Sequence, residues 1–316
     1  MNFTLKPIFI CGCGRSGTTL LGSLLGSHSN CIATPESQFI FDLIQGSHLS
    51  ANITIEPDQV IKQLSKHWRF KLWNLKLSTN DFKIKEINTY SELIQFIVNT
   101  YASQNDKPNA SYWIDHTPEH IQHIATLMKL FPEAKFIHII RDGRAIASSV
   151  LNLDWGGLHT IPQIAQWWVR QIGYGLAAEN YLGKAISKQV KYENLLLKPE
   201  ETLKEICTFI GINYQVKMLK GNDYKVPSYT ESQHKLIGTK PDSKQITIWK
   251  KRLSSRQIEI FESSTQDILS YLGYTPEFGT NAIPITRKEQ LSLQVQANAK
   301  AIRKRFQRFY RKLKVK

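Results

Sequence analysis

The chain lacks several features that would place it in a common class of proteins. Only four of its 316 residues are cysteines, and their spacing is not that of a metal site. No apolar run reaches the length needed to span a bilayer, and the N-terminus has neither the basic region nor the cleavage site of a signal peptide. No internal repeat or low-complexity run is visible. We therefore expect a cytoplasmic protein without a metal centre built on cysteine.

Acidic side chains are scarce as well, with 26 Asp and Glu against 41 Lys and Arg. The imbalance lies at the C-terminus, where residues 287–316 have eleven basic side chains and the one acid Glu289, a net charge of +10 out of the chain's +15. Four apolar side chains of this segment fall on one helical face: Ile302, Phe306, Phe309 and Leu313. A basic amphipathic helix over 286–316 would lie on an anionic membrane surface, contact a polyanion, or pack on its own domain or on a twin subunit in a homodimer.

The segment Cys11–Leu21 (CGCGRSGTTLL) is a glycine-rich loop between a strand and a helix. The apolar run Pro7–Ile10 precedes it, and helical apolar spacing follows it. Such a junction places backbone N–H groups and the positive end of the helix dipole around an anion. From Gly12 the spacing is that of a Walker A loop, but Thr18 stands in place of the lysine. The missing lysine argues against hydrolysis of ATP or GTP. Arg15 supplies a guanidinium that can bind an oxyanion instead.

A second segment points to a second phosphate. The apolar run Phe136–Ile140 predicts a buried parallel strand, and a helical segment follows directly. Arg141 stands at the carboxyl end of that strand, where open α/β sheets bind ligands. Ser149 lies eight residues further on, at a strand-to-helix junction able to bring both side chains toward one anion.

Together, the RSGTT core (Arg15–Thr19) and the pair Arg141 and Ser149 resemble the sulfotransferases that use 3′-phosphoadenosine 5′-phosphosulfate (PAPS). The resemblance is to the branch that includes the tyrosylprotein and carbohydrate enzymes. It implies PAPS as co-substrate, adenosine 3′,5′-bisphosphate (PAP) as product and no metal. The loop would hold the 5′-phosphosulfate, and Arg141 with Ser149 would hold the 3′-phosphate. The implied cofactor-binding residues are Gly14, Arg15, Ser16, Gly17, Thr18, Thr19, Arg141, Ser149, Tyr192 and Lys240.

The last two of these residues come from segments that fit the same resemblance less closely. Tyr192 belongs to a Tyr-Glu pair that relatives place near the cofactor, and a buried packing tyrosine is the alternative. The basic segment 237–251 corresponds to a loop that relatives close over the 3′-phosphate. Either Lys240 or Lys244 would contact the phosphate there.

Sulfuryl transfer in line needs hydrogen-bond donors on the departing phosphate and a base for the acceptor hydroxyl. Arg15, Thr18, Thr19 and the loop amides can supply the donors. Glu36 stands twenty-one residues after Arg15, where the tyrosylprotein enzymes carry their catalytic glutamate. The resemblance therefore implies that Glu36 is the general base. The alternative is a first-turn helix carboxylate after Pro35.

His116 is the third candidate catalytic residue, beside Glu36 and Arg15. It lies where relatives commonly have a lysine that stabilises the transferring group. An imidazole there would donate to the sulfuryl oxygens or act as the base itself, since it titrates near neutral pH. In the alternative, His116, His120 and His123 pack or face water near a helix start, and no carboxylate or cysteine partner suggests a metal site.

The arrangement of elements predicts an α/β fold. Strand-like runs at 7–12, 135–140 and 188–192 alternate with helical patterns. The predicted helices lie near 18–27, 57–68, 90–103, 118–130, 143–152, 162–182, 200–210 and 255–271. We predict a P-loop-like fold of three layers, α/β/α, around a central parallel sheet. Its domain covers 1–285, with a helical insertion at about 46–112 that would determine acceptor specificity, and the basic C-terminal helix follows at 286–316.

The sequence therefore predicts a PAPS-dependent sulfotransferase that acts on a hydroxyl of a carbohydrate, a glycolipid or a peptide tyrosine. We expect the basic helix to bring it to the inner membrane surface, because lipid-linked glycans would be suitable acceptors, and we expect no nucleic-acid partner. One alternative is a P-loop-type nucleotide kinase or NTPase with Asp142 as its Walker B carboxylate, which the missing lysine opposes. Another is a basic protein that binds membranes or nucleic acid, which leaves both phosphate motifs unexplained.

Overall fold

The structure is a computed structural model that divides into two compact units. The first consists of Met1–Arg141 and Gln171–Ser243, and the second of Asp142–Arg170 and Lys244–Lys316. The structure describes residues 5–46, 54–77, 87–151, 153, 157–224, 238, 242–293, 295 and 297.

Strands and helices alternate along the described part of the chain. The strands are β1 (Lys6–Gly12), β2 (Cys31–Ala33), β3 (Tyr112–Asp115), β4 (Lys135–Ile140) and β5 (Ser187–Lys191). The α-helices are α1 (Thr18–Gly26), α2 (Phe39–Gly46), α3 (Pro57–Leu64), α4 (Trp68–Lys71), α5 (Tyr90–Gln104), α6 (Ile124–Leu130), α7 (Gly143–Val150), α8 (Ile161–Leu182), α9 (Tyr192–Leu197), α10 (Pro199–Ile210), α11 (Lys244–Thr247), α12 (Trp249–Arg252), α13 (Ser255–Glu262) and α14 (Gln266–Tyr271). Short 3-10 helices cover Pro118–Gln122, Val216–Lys220 and Gly279–Asn281.

The strands form one parallel sheet in the order β2-β3-β1-β4-β5. Parallel neighbours need long crossover connections, and here helices supply them. In register, Phe9 of β1 pairs with Asp115 of β3 on one side and with Phe136 of β4 on the other. The carboxyl ends of β1, β3 and β4 therefore meet at one edge of the sheet. This sheet and its helices confirm the predicted P-loop-like α/β class.

The centre of the sheet is held by aromatic side chains. Phe9 is fully buried and stacks on Phe136 with ring centroids 5.4 Å apart. Trp113 of β3 meets Phe9 edge to face at 5.5 Å, an arrangement that adds stabilisation beyond burial. Strands covered on both faces read as continuous apolar runs, which is why β1 and β4 were predictable from the sequence.

The described part of the predicted insertion is helical. It comprises α3, α4 and α5, and α5 begins with a capping box between Thr89 and Glu92. Lys107, after α5, donates hydrogen bonds to the carbonyl oxygens of Gly26, His28 and Cys31. These contacts tie the insertion to the end of the helix that follows the glycine-rich loop.

Several elements differ from the predicted ones. Strands β2 and β3 were not predicted, because they have three and four residues and neither is long enough to show a period. The predicted strand at 188–192 is β5, which ends one residue earlier because Tyr192 begins the helix α9, and Pro199 then starts α10 as its first residue. The predicted helix at 255–271 is two helices, α13 and α14.

The second unit is built around a buried arginine. Arg144 of α7 pairs with Asp142 at 2.8 Å and with Glu262 of α13 at 2.6 Å, and its guanidinium lies 4.2 Å from the ring centroid of Trp249. Near the C-terminus, residues 287–293 are helical, and Thr286 accepts a hydrogen bond from the backbone N–H of Glu289. Nearly all of the predicted basic helix beyond them lies outside the described residues.

Candidate active site

The glycine-rich loop between β1 and α1 has a backbone that depends on particular residues. A Cβ at Gly12 would overlap the carbonyl oxygen of Ile139, and a Cβ at Gly17 would overlap the ring of Tyr192. Gly17 has a φ of 96°, and Arg15, which is not a glycine, has a φ of 70°. Left-handed backbone at a non-glycine residue costs energy and is often kept where function requires it.

The interior of this loop presents hydrogen-bond donors. Gly17 is the N-cap of α1 and makes no side-chain cap there, so within the described structure the first-turn amides are not bonded to a capping side chain. Ser16 is fully buried, and its hydroxyl has no hydrogen-bond partner among the described residues. Buried polar groups are nearly always paired, so this hydroxyl suits an oxygen of a bound ligand. Helix dipole, amides and hydroxyl together fit an anion.

Two arginines and a tyrosine meet at this loop. Arg141, at the carboxyl end of β4, donates from Nη1 to the carbonyl oxygen of Arg15 at 2.9 Å. Its guanidinium carbon lies 4.1 Å from the ring centroid of Tyr192, the residue whose ring also contacts Gly17. Burial and then the charge of Arg141 lower the pKa of the Arg15 guanidinium. A bound anion would relieve this repulsion between like charges.

Glu36 lies in the loop between β2 and α2 and is held from several directions. Arg69 of α4 donates from Nη1 to its Oε2 at 2.6 Å, and Gln38 donates from Nε2 to the same oxygen at 2.8 Å. The indole N–H of Trp73 donates to its backbone carbonyl oxygen at 3.3 Å. Glu36 is therefore an oriented carboxylate, which is what a general base requires.

Next to Glu36, Ser37, Asp115 and His120 form a buried polar network. The Ser37 hydroxyl donates to Asp115 Oδ2, and His120 Nε2 lies 2.8 Å from that hydroxyl and 3.4 Å from Asp115 Oδ2. Burial opposes ionisation of Asp115, but His120 and the hydrogen bonds from His120, Ser37 and Thr117 lower its pKa to about 2. The same nitrogen of His120 is close to both Ser37 and Asp115, and all three side chains are buried. They are therefore not arranged as a hydrolytic triad. Instead, the network holds Ser37 in place, next to Glu36.

His116 is enclosed by the helix α1 and by the ring of Tyr224. It is 1% exposed, and neither ring nitrogen has a hydrogen-bond partner among the described residues. A Cβ at Gly22 would overlap its ring, and Tyr224 meets it edge to face at 5.1 Å. Burial lowers the pKa of His116, and the charge of Glu36 opposes that shift. The imidazole is therefore neutral at neutral pH.

Glu119 is a second carboxyl group near Glu36, and sequence reasoning missed it. Gln38 donates to its Oε2 at 3.2 Å as well as to Glu36. Burial and then the charge of Glu36 raise the pKa of Glu119. Arg69 was missed too, because a contact between positions 33 residues apart leaves no trace in a local motif. Gln38 is only two residues from Glu36, but its bridge to Glu119 spans 81 residues and was missed for the same reason.

The remaining candidates are distributed as follows. Gly14 lies in the loop, and Thr18 and Thr19 form the buried first turn of α1. Ser149 is a half-buried residue of α7, in the second unit, and Lys240 lies outside the described residues.

The alternative role for Asp142 does not fit its surroundings. It caps α7 by accepting from the Arg144 N–H, and it receives Nε and Nη2 of the same arginine at 3.0 and 2.8 Å. A Walker B carboxylate must face a magnesium ion, whereas this one is engaged by a guanidinium. Among the described residues, no group of three His, Cys, Asp or Glu side chains is placed to hold a metal ion.

None of the helices in the described ranges combines the length and apolarity that crossing a membrane requires.

We predict that the buried, neutral His116 makes stability depend on pH. The unfolded chain binds a proton near pH 6.5 that the native protein binds only at lower pH, so the free energy of unfolding falls as the pH drops below about 6.5. In His116→Leu the slope between pH 6.5 and 5 should be shallower, by up to about 1.4 kcal/mol per pH unit. Urea denaturation at several pH values measures it, and equal slopes in both proteins would contradict the assignment.

Comparison with known proteins shows similarity to protein-tyrosine sulfotransferases. The chain is 25% identical over 232 residues to the protein-tyrosine sulfotransferase of Drosophila melanogaster. The aligned residues cover 71% of this chain and 41% of that protein. The chain is 25% identical over 286 residues to protein-tyrosine sulfotransferase A of Caenorhabditis elegans, covering 87% and 69% of the two chains. The chain thus spans about two fifths of the length of the Drosophila relative.

A solved structure shows the same fold. The sulfotransferase domain of the Synechococcus PCC 7002 olefin synthase superposes with a TM-score of 0.61 at 19% identity, over 86% of this chain and 96% of that domain. This likeness assigns the three-layer α/β/α architecture. The sequence model of the Sulfotransferase family matches residues 7–216, which include the loop, Glu36, Arg141 and Tyr192, and the chain belongs to that family.

Proposed function

We propose that the protein transfers a sulfuryl group from PAPS to an acceptor hydroxyl and releases PAP. The observation that carries the proposal is the contact of Arg141 with the main chain of Arg15, which brings a second cation to the phosphate loop. PAPS has two separate phosphate groups, and a P-loop without its lysine suits a sulfate end group better than a triphosphate.

In this reaction the acceptor oxygen bonds to sulfur as the bond from sulfur to the 5′-phosphate oxygen breaks. Amides of the loop with Ser16, Thr18 and Thr19 donate to the phosphosulfate, and Arg15 neutralises charge on the departing phosphate. Glu36 takes the acceptor proton. His116, neutral because it is buried, donates an N–H to a sulfuryl oxygen in place of the lysine of relatives.

We propose that Arg141 binds the 3′-phosphate, with Tyr192 beside the nucleotide; Ser149 and Lys240 are further phosphate ligands that the family resemblance implies. Tyr192 is a buried aromatic that contacts both Arg141 and Gly17, which supports its assignment.

For the acceptor, we propose a peptide tyrosine as the first class to test, because the curated relatives are named protein-tyrosine sulfotransferases. Carbohydrate and glycolipid hydroxyls are the other classes. Transfer of labelled sulfate to a tyrosine peptide, compared with transfer to glycan and lipid fractions of a cell extract, separates the three.

We predict that PAP stabilises the protein against heat and that ATP with magnesium does so far less. Arg141→Ala should weaken PAP binding by about 10–100-fold, since a charged hydrogen bond to phosphate is worth about 1.5–3 kcal/mol. Arg170→Ala, at an exposed position, is the control. Calorimetric titration with PAP measures both variants. Stabilisation by ATP with magnesium only would reject the proposal, and an unchanged affinity in Arg141→Ala would reject the assigned phosphate contact.

We predict that Glu36→Gln lowers the rate of PAP formation by about 10²–10⁴-fold, because the acceptor loses its base. PAP affinity should stay within about twofold of wild type. Glu133→Gln, at an exposed position, is the control and should keep the full rate. Turnover of ³⁵S-labelled PAPS with a tyrosine peptide gives the measurement. A near-normal rate in Glu36→Gln would exclude this carboxylate as the base.

We also propose that the basic C-terminal segment binds an anionic membrane surface, in view of its net charge of +10. We predict that the full chain sediments with vesicles containing phosphatidylglycerol and that a chain ending at residue 286 does not. Binding should weaken as salt rises, because the attraction is electrostatic. Neutral phosphatidylcholine vesicles are the control, and equal sedimentation with both vesicle types would contradict the proposal.

A further inference from the structure

We infer that Arg69 of the insertion is a positioning residue for the base, holding Glu36 by one oxygen so that the other takes the acceptor proton. This inference rests on the proposed function, in which Glu36 is the base. It assigns part of the catalytic machinery to the helical insertion, a segment that carries no phosphate motif.

The first step is that the two carboxylate oxygens of Glu36 differ in the number of hydrogen bonds they accept. Arg69 Nη1 and Gln38 Nε2 both donate to Oε2, at 2.6 and 2.8 Å. Oε1 of Glu36 has no hydrogen-bond partner in the part of the chain that the structure describes. A proton placed on Oε2 would face two donors that already use its lone pairs, whereas Oε1 keeps its own. Oε1 is therefore the oxygen that receives the proton.

The second step is that Arg69 is itself held in place. Its guanidinium carbon lies 4.5 Å from the ring centroid of Trp68. Its side chain is 20% exposed and that of Glu36 27%, so the ion pair is less screened than a pair on the open surface. The charged hydrogen bond is short and partly buried, which are the conditions under which such a bond orients its acceptor.

The third step is that the main chain of Glu36 is held by the same part of the insertion. Trp73, two residues after the end of α4, donates its indole N–H to the Glu36 carbonyl oxygen. Trp73 is 3% exposed and packs against Phe39 at 5.4 Å. Side chain and backbone of the base are thus both fixed by α4 and the turn that follows it.

Gln38 completes the arrangement. Its amide nitrogen bridges Glu36 and Glu119, and the raised pKa of Glu119 leaves that carboxyl group neutral over a wider pH range than usual. A carboxyl group that stays protonated to higher pH repels the charged base less. Arg69 is then the group whose positive charge contacts the Glu36 carboxylate directly.

The test is a double-mutant cycle in which the rate is the release of ³⁵S from labelled PAPS, one label for each PAP formed, measured with a tyrosine peptide and a clarified cell extract. PAP formation counts transfer to any acceptor, including water, so the identity of the acceptor does not limit the assay. The variants are Arg69→Gln, Arg69→Lys and, as a control on the same helix, the exposed Lys71→Gln. Each is made in the wild-type chain and in Glu36→Gln.

We expect Arg69→Gln to lower kcat by about 10–100-fold, to leave KM for PAPS and the affinity for PAP within twofold, and to have no further effect in Glu36→Gln. Arg69→Lys should recover part of the rate, because it keeps the charge but not the planar fork. Lys71→Gln should behave as wild type.

The other outcomes overturn the inference. If Arg69→Gln lowered kcat equally in the wild-type chain and in Glu36→Gln, Arg69 would act on the acceptor and not through Glu36. A loss of PAP affinity in Arg69→Gln would show that Arg69 has a structural role. A wild-type kcat in this variant would show that Arg69 has no role in positioning the base. A wild-type chain that neither binds PAP nor forms it would instead reject the proposed function, so the two failures are distinguishable.

Discussion

The site depends on the close packing of Tyr192 against the glycine-rich loop. The loop can pass the Tyr192 ring only because Gly17 has no Cβ, and that ring also contacts the Arg141 guanidinium. Arg141 in turn donates to the carbonyl oxygen of Arg15. One aromatic ring therefore couples the loop after β1 to the end of β4. A larger residue at position 17 would separate the two cations as well as distort the helix start.

Like charges are brought together on both sides of the site. Arg141 helps to lower the pKa of Arg15, and Glu36 helps to raise the pKa of Glu119. The first pair is relieved when an anion binds, which favours a polyanionic substrate over a neutral one. The second pair is relieved when one carboxyl group is neutral. The fold keeps both pairs because separate elements hold their members: the loop after β1 and the end of β4 hold the two arginines, and the loop after β2 and the 3-10 helix Pro118–Gln122 hold the two carboxyl groups.

Sequence analysis could predict the parts of the fold that are local. The loop, β1, β4 and the helices after them follow from continuous apolar runs and glycine spacing, and the structure confirms them. Strands β2 and β3 were missed because three or four residues carry no period. The contacts of Glu36 with Arg69 were missed for another reason: they join positions that only the folded chain brings together. Roles for Glu36 and His116 came from resemblance, and the structure adds the surroundings from which those roles can be judged.

The helix α4 lies beside the proposed base and also has an exposed aromatic side chain. Arg69 and Trp73 donate hydrogen bonds to Glu36, and Trp68, whose ring contacts the Arg69 guanidinium, is 54% exposed. Substitutions in α4 would therefore also shift the carboxylate that we propose as the base. Arg69 contacts both the exposed indole of Trp68 and the carboxylate of Glu36, although it belongs to neither phosphate motif. The orientation of the proposed base therefore depends on α4 and on Trp73, two residues after its end.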